Sequence, residues 1–496
     1  MTIPFIPGAD DTIAAISTPP GRGAIAVIRL SGPRAHEILA KVVSPWRDKE
    51  RSVYLAALSD PVSGELIDRP LVTLYGAPAS YTGEHMAELA VHGGHVVPAL
   101  ALGALIAAGA RRALPGEFTR RAVMNGKMDL LQAEAVGDII DAGSRAMHHA
   151  ALHQLDGGLT RRVSALRETI LELESLIAYD IDFPEEDDGP IATPRIAAAI
   201  KDLVDSLDSV LATSETGELI RAGATVVIAG APNTGKSTLF NALIGYGRAI
   251  VTDVPGTTRD ALEALIDVGE WPVRLVDTAG IRETSDAIER LGIEVSERWL
   301  RGADIVLACG DNIEPLDETV KQVTSMTEAC VIPVRTKGDL YGDSRSTGEG
   351  RAPAPSTQSR DTRGVIGIAH GEAKWGGPSP PTTNMAFSSE SPVTVSAHTG
   401  AGLADLAGRI RAVLSANHGE LVRDAPLLTR ERHRRSVALA RQEVIDFQKA
   451  WQTCVVPVSI AAVHLRAATG ALEDLIGAVG VEEVLDRVFS SFCVGK

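Results

Sequence analysis

"VVIAGAPNTGKSTLFNAL" (226–243) is the stretch on which the fold turns. A run of β-branched residues ends in glycine, a glycine-rich turn follows, and a helical pattern opens at Lys236. Within it, "GAPNTGKS" (230–237) satisfies GxxxxGK[ST] in the strand–loop–helix setting that this motif requires. Gly230 and Gly235 let the backbone wrap around anionic oxygens, so that successive N–H groups point at phosphate. Lys236 is placed to reach the β- and γ-phosphates, and the Ser237 hydroxyl to reach Mg²⁺. Asn233, Thr234 and Thr238 complete the phosphate-side set. The expectation is an α/β P-loop domain.

Further nucleotide motifs follow in order. "VTDVPGTTRD" (251–260) reads as a first switch, with Thr252, Asp253, Val254, Pro255, Gly256 and Thr257 beside the nucleotide and Thr258 in the Mg²⁺ shell. "DTAG" (277–280) ends an apolar run: Asp277 would hold a Mg²⁺-bound water, with Thr278, Ala279 and the Gly280 N–H near the γ-phosphate. "TKGD" (336–339) occupies the base-reading position. Asp339 accepts from the N1–H and N2–H pair that only guanine offers, and Lys337 and Gly338 accompany it. Thr336 stands where asparagine is usual, which predicts weaker binding with the guanine preference retained. "SAHTGAG" (396–402) supplies Ser396, Ala397 and His398 near the guanine oxygen. Many GTPases follow DTAG with a glutamine that positions water; here Ile281 follows, so the water must be oriented otherwise.

Composition bounds the rest. At roughly 150 residues per domain, 496 residues suggest about three domains. A 45% hydrophobic chain can bury a sizeable core, and 4% aromatic residues exclude a broad base-stacking surface. The net charge of −16 excludes nucleic-acid binding through bulk charge, so any RNA contact is local or shared with a partner. Four scattered cysteines form neither a CxxC pair nor a disulfide framework, which makes a reducing cytosol the default. No secretory signal is visible, and "VVPALALGALIAAGA" (96–110) is too short to span a membrane. A cytoplasmic protein without membrane association is expected.

Along the chain, 1–125 reads as an α+β domain, with strands in "DTIAAIS", "GAIAVIRLSG" and "AELAVHGG" and a helix from about 96. Residues 126–218 turn helical, with Val163, Leu166, Ile170, Leu173 and Ile177 on one stripe and "FPEEDDGP" (183–190) breaking the helix. Residues 219–415 alternate strand and helix. Within them, 341–392 is so rich in Gly, Pro, Ser and Thr that it reads as a disordered insertion. Residues 416–496 are helical again, so the nucleotide domain would be an insertion within one discontinuous helical domain. His92 and His95 are not spaced like a metal pair, and His149 and His153, at helical i, i+4 spacing, lack a third ligand nearby, so zinc is not expected. The basic run "RERHRRS" (430–436) reads as a solvated helix face, with a phosphate-binding patch as the alternative.

Nearly the whole chain resembles the MnmE (TrmE) family of bacterial tRNA-modification GTPases. The resemblance is carried by "DTIAAISTPPGRGAIAVIRLSG" (11–32), "PASYTGEHMAEL" (78–89), "LPGEFTRRAVMNGKMDLLQAEAV" (114–136), the nucleotide motifs and "FSSFCVGK" (489–496). The insertion and Thr336 are the departures that matter. The resemblance implies K⁺ held by Asn233, Thr252, Val254 and Thr257, and a water-orienting acid at Glu289. It implies an N-terminal folate-binding domain, with a 5-formyl or methylene tetrahydrofolate near Arg29, Glu88, Lys127 and Lys496. Cys493 falls near the same pocket, as a reactive thiol or a buried one.

The resemblance further implies a homodimer that joins the FAD-dependent partner MnmG (GidA) in a heterotetrameric or larger complex. Together they would add an aminomethyl-type group to C5 of the wobble uridine of certain tRNAs. Two competing readings remain. One is a ribosome-assembly GTPase without modification activity, against which 420–496 carries ten basic and ten acidic residues and so no basic excess. The other is a folate-dependent one-carbon enzyme with a regulatory GTPase domain.

Overall fold

Strict alternation in "IAVIRLS" and "MAELAVH" calls for strands with one face in a core and one face out. In the computed structural model these are β2 and β8 of nine strands in the N-terminal part. The nine are β1 (Ile13–Ile16), β2 (Ile25–Ser31), β3 (Val43–Ser44), β4 (Val53–Leu55), β5 (Ala57–Ser59), β6 (Leu66–Asp68), β7 (Leu71–Tyr75), β8 (Met86–His92) and β9 (Arg111–Arg112). The structure describes residues 11–182, 193–247, 262–277, 298–340, 391–419, 426–453, 458–477, 488–489, 492 and 494–495.

Six strands form a sheet in the order β4-β7-β8-β2-β1-β9, and β3-β5-β6 form a smaller one. One face of the large sheet presents Val72, Leu74, Leu89, Val91, Ala26, Ile28 and Leu30. These pack with Ile38 and Leu39 of helix α1 (Ala35–Ala40) and Leu102 and Leu105 of α2 (Val97–Ala107). The second face is treated unevenly. Near β1 it is covered by α3 (Glu117–Met124), whose Phe118 packs on Ile13 and Ala15. Toward β4 it is bare, leaving Val53, Leu55 and Leu71 exposed. Arg29 and Glu88 project from this second face, between the covered and the bare regions.

Helices follow: α4 (Leu130–Asp141), α5 (Arg145–Leu155), α6 (Gly158–Asp182), α7 (Thr193–Leu211) and α8 (Ser214–Ala222). Asp129 and Gln132 form a reciprocal capping box that starts α4, and Ser144 caps α5. The stripe Val163, Leu166, Ile170, Leu173 and Ile177 is buried along α6. It meets Ile196, Ile200, Leu203 and Leu207 of α7, together with Val437, Val444, Leu465 and Leu472 from the far end of the chain. One compact unit therefore combines Met1–Gly223 with Glu420–Lys496, and Ala224–Gly419 forms another. The sequence boundaries at 219 and 415 lie inside helices that run to Ala222 and His418. The helix-breaking "FPEEDDGP" lies outside the described residues.

The second unit is a six-stranded sheet made of β10 (Ala224–Gly230), β11 (Leu262–Val268), β12 (Trp271–Asp277), β13 (Ile305–Gly310), β14 (Cys330–Arg335) and β15 (Val393–Thr394). Its order is β11-β12-β10-β13-β14-β15, parallel except for the β11–β12 pair. Helices α9 (Lys236–Tyr246), α10 (Ile313–Thr324) and α11 (Leu403–His418) belong to it. Residues 341–390 of the expected insertion lie outside the described residues. The remaining helices, α12 (Glu431–Thr453) and α13 (Val458–Ile476), belong to the first unit.

The basic run at 430–436 corrects its sequence reading. His433 is fully buried and its Nε2 lies 2.6 Å from Glu134 of α4, which is itself buried. Arg432 also donates to Glu134 at 3.1 Å, and Arg430 to Asp138 at 2.6 Å. Only Arg434 and Arg435 face solvent, paired with Glu431. Helical spacing turned Arg430, Arg432 and His433 inward onto α4, so half of the run is a tie centred on a buried histidine and not a solvated face.

Candidate functional site

The phosphate cradle grows directly from β10. Buried Val226, Val227 and Ile228 fill the centre of the sheet, with β12 on one side and β13 on the other. The order reverses at β10, and the carboxyl end of a strand at such a switch point is where ligands bind in parallel sheets. The strand ends at Gly230, where a β-carbon would sit 2.4 Å from the Cys309 carbonyl oxygen. Asn233 and Gly235 then take left-handed backbone, φ 63° and 85°. Alternating the backbone hand in this way turns several N–H groups toward one concave surface, an anion nest at the N-terminus of α9.

Three side chains brace that loop. Thr234 Oγ1 donates to the Ala231 carbonyl at 2.8 Å, and Lys236 Nζ donates to the same oxygen at 2.7 Å. Thr336, buried behind the loop, donates its hydroxyl to the Thr234 carbonyl at 2.5 Å. A hydroxyl has one proton. Thr336 spends it on the phosphate loop and has none left for a base. Ser237 and Thr238 are exposed at the start of α9, and buried Asp277 ends β12.

The residues expected to read the base gather at the ends of β14 and β15. The Gly338 N–H donates to the Val395 carbonyl at 2.9 Å, which joins the two loops. Lys337, at φ 56°, reaches Asp311 at 3.1 Å. Ser396 donates to Asp339 at 2.7 Å, and this hydrogen bond holds the Asp339 carboxyl below its ordinary range. Asp339 is thus ionised and aimed, as an acceptor for an N–H pair must be. Ala397 and His398 follow on the same loop. Sequence reading missed Asp311 as the partner of Lys337; it follows the Gly that ends β13, as Asp277 ends β12, and that parallel was its only signal.

Of the sequence-expected residues, Thr252, Asp253, Val254, Pro255, Gly256, Thr257, Thr258, Thr278, Ala279, Gly280, Glu289, Cys493 and Lys496 lie outside the described residues. Cys309, beneath the cradle, is fully buried, and burial pushes its thiol up to about 12, so it is no nucleophile.

A second site lies on the second face of the N-terminal sheet. Register places Arg29 opposite Glu88, and Glu88 opposite Thr73. Arg29 donates twice to Glu88 Oε1, from Nε at 3.0 Å and Nη2 at 2.9 Å. Tyr75 donates to Glu88 Oε2 at 3.2 Å. The Arg29 guanidinium lies 5.3 Å from the Tyr81 ring and 5.8 Å from that of Phe118. Tyr81 is fixed in turn by Thr119, 2.9 Å away on α3. Burial pushes the Tyr75 hydroxyl up, and Glu88 adds to the effect, so it remains a protonated donor. These residues, with Met86, Arg51 and Lys127, line a cavity of about 510 Å³. Arg29, Glu88 and Lys127 were anticipated; Tyr75, Tyr81 and Arg51 were not.

Among the described residues, no helix is long and apolar enough to cross a membrane. Residues 130–493 match the family model of the MnmE helical domain, and 12–127 match that of the N-terminus of the GTP-binding protein TrmE. The chain is 37% identical over 495 residues to the tRNA modification GTPase MnmE of Moorella thermoacetica, covering 98% of this chain and 100% of that one. It is 40% identical over 493 residues to that of Methylobacterium radiotolerans, covering 98% and 99%. With the Aquifex aeolicus protein it shares 36% over 488 residues, covering 98% and 100%. Together with the phosphate cradle, these matches establish that the chain belongs to the MnmE family of tRNA modification GTPases, enzymes that hydrolyse GTP in tRNA modification.

Proposed function

We propose that GTP hydrolysis by this chain is activated by potassium and serves modification of C5 of the wobble uridine. The observation that carries the potassium reading is Asn233. It is exposed at the crest of the phosphate loop in left-handed backbone, and no described residue hydrogen-bonds its carboxamide. Thr234 and Lys236 turn inward, whereas Asn233 is exposed and offers a carboxamide oxygen to which no described residue donates. That oxygen suits a hard cation, with Thr252, Val254 and Thr257 as the remaining ligands. A monovalent cation held there offsets negative charge developing between the β- and γ-phosphates, as an arginine finger does elsewhere. Ser237 and Thr258 would hold Mg²⁺, with Asp277 on a bound water. Glu289 orients the attacking water in place of the glutamine that Ile281 replaces.

We assign the N-terminal cavity to a tetrahydrofolate derivative that carries a one-carbon unit. Its volume falls in the range of drug-sized ligand sites. A carboxylate offers about four acceptor positions. Glu88 has given two to Arg29 and one to Tyr75, leaving one for an N–H of a pterin edge. Lys127 and Lys496 would meet the acidic tail. The bare region of the sheet, with Val53, Leu55 and Leu71 exposed, suits a second copy in a homodimer. The FAD-dependent MnmG (GidA) is the proposed partner at the tRNA, and nucleotide-driven closure of the GTPase units is the proposed drive. Membership in the MnmE family removes the ribosome-assembly reading.

Single-turnover GTP hydrolysis in KCl and in NaCl at equal ionic strength tests the potassium reading. A large potassium-specific acceleration that Asn233→Lys abolishes is expected. Equal rates in both salts would sink it.

A further inference from the structure

The sheet cavity has two ends of different chemistry. At the inner end, Arg29, Glu88 and Tyr75 satisfy one another. At the outer end stand two exposed cations, Arg51 and Lys127. Their only described hydrogen bonds from charged groups go to consecutive neutral carbonyls of one loop. Arg51 Nη2 donates to Ala79 O at 2.9 Å, and Lys127 Nζ donates to Pro78 O at 3.1 Å. Among the described residues, neither has a carboxylate within ion-pair distance.

Both are held in place. Arg51 sits in left-handed backbone at φ 53°, unfavourable for a residue with a β-carbon, and its N–H is anchored to the Leu74 carbonyl at 2.8 Å. Lys127 is fixed by Gly83, where a β-carbon would come within 3.3 Å of the Lys127 stem. Two positive charges are therefore presented together at the mouth of the cavity, each bound only to a dipole that an anion can replace.

We infer that Arg51 is a specificity-determining residue of this cavity: with Lys127 it forms a two-cation rim that selects ligands whose tail carries the paired carboxylates of a glutamyl group. The inference rests on the reading of the cavity as a reduced-folate site. A tetrahydropteroate ends in one benzoate. Adding one glutamyl group converts that carboxylate to an amide and places two carboxylates further out, matching the two cations in number and sign.

The test compares 5-formyltetrahydrofolate with 5-formyltetrahydropteroate, which lacks the glutamyl group, binding to the full chain by calorimetry. The wild type should prefer the glutamylated ligand by roughly tenfold at low salt, the scale of two solvent-exposed ion pairs, and less as salt rises. Arg51→Asn accepts left-handed backbone and removes the charge. It should cut the preference to about threefold by loss of one such pair, without altering pteroate affinity or the melting temperature. Arg51→Lys should restore the preference. Equal binding of both ligands by the wild type would overturn the inference while leaving the folate site intact. Equal weakening of both ligands by Arg51→Asn would also overturn it, assigning Arg51 to the loop's shape. Binding of neither ligand to the wild type would remove the folate reading, and this inference with it.

Discussion

The phosphate cradle and the sheet cavity are built in opposite ways. The cradle comes from one contiguous stretch, Gly230 to Thr238, and works through backbone N–H groups whose direction is set by local φ values at Asn233 and Gly235. The cavity takes Arg29 from β2, Tyr75 from β7 and Glu88 from β8, with Arg51 and Lys127 from segments between elements. It works through side chains that only strand register brings together. A contiguous backbone site tolerates change in most of its side chains. A register-built site depends on each one.

The largest expected effect separates the two. Lys236→Ala removes the charge that neutralises the phosphates and should lower single-turnover GTP hydrolysis by at least ~100-fold. Calorimetric binding of 5-formyltetrahydrofolate should be unchanged. A parallel loss of folate binding would mean that the sites are not independent.

Glu134 sharpens the contrast from the other direction. Like Glu88 it is a carboxylate facing arginine, but it is buried and packed against His433. Its role is therefore to tie α12 to α4. Burial pushes the Glu134 carboxyl up, but His433, Arg432 and Arg430 outweigh this and bring it to about 2. Burial also pushes His433 below its ordinary 6.5, although Glu134 opposes that shift. Since Glu134 only accepts, His433 Nε2 carries the proton and the ring is neutral. Glu134→Gln keeps an acceptor for the His433 N–H but loses the charge that Arg432 and Arg430 face, and should destabilise the chain by about 1.5 kcal/mol in denaturant unfolding, the scale of a hydrogen bond to a charged group.

The pH dependence has two steps of the same sign. Below about 6.5 the unfolded chain takes up a proton at His433 that the folded chain resists, so stability falls. Glu134 contributes stability above its unfolded value near 4.5, and that contribution is lost as pH falls toward about 2. His433→Gln should abolish the first step and shrink the second, which Arg432 and Arg430 alone would then sustain, read as melting temperature against pH.

The smallest effect probes the cradle's back wall. Thr336→Val removes the hydroxyl that braces the Thr234 carbonyl. A lost hydrogen bond of about 1 kcal/mol predicts roughly fivefold weaker GTP affinity in equilibrium titration. The preference for guanine, which the sequence reading assigns to Asp339, should persist. An unchanged affinity would show that the P-loop backbone needs no such brace.

Much of this molecule was legible in its residues. The P-loop was readable because its function lies in consecutive φ values that glycine positions announce. The α6 stripe was readable because helical period alone selects its buried face. Arg29 and Glu88 surfaced only through family resemblance, since neither stretch carries a local signal of ligand binding. Tyr75, Tyr81 and Arg51 were missed because nothing in "LVTLY" or "PASYTGEH" reveals which strand lies alongside. The run at 430–436 was misread for a related reason. Helical periodicity shows that His433 and Arg430 share a side, but not that Glu134 and Asp138 wait there.

By itself, then, the sequence determined the P-loop, the TKGD stretch expected to read guanine and the helical stripes, because each depends on interactions within a few residues. Only the tertiary structure decided that Thr336 serves the phosphate loop, that half of a basic run is a tie onto α4, and that a cavity opens between β7, β8 and β2. Those outcomes depend on which distant element supplies the opposing atom, and register and packing choose it where local propensity cannot.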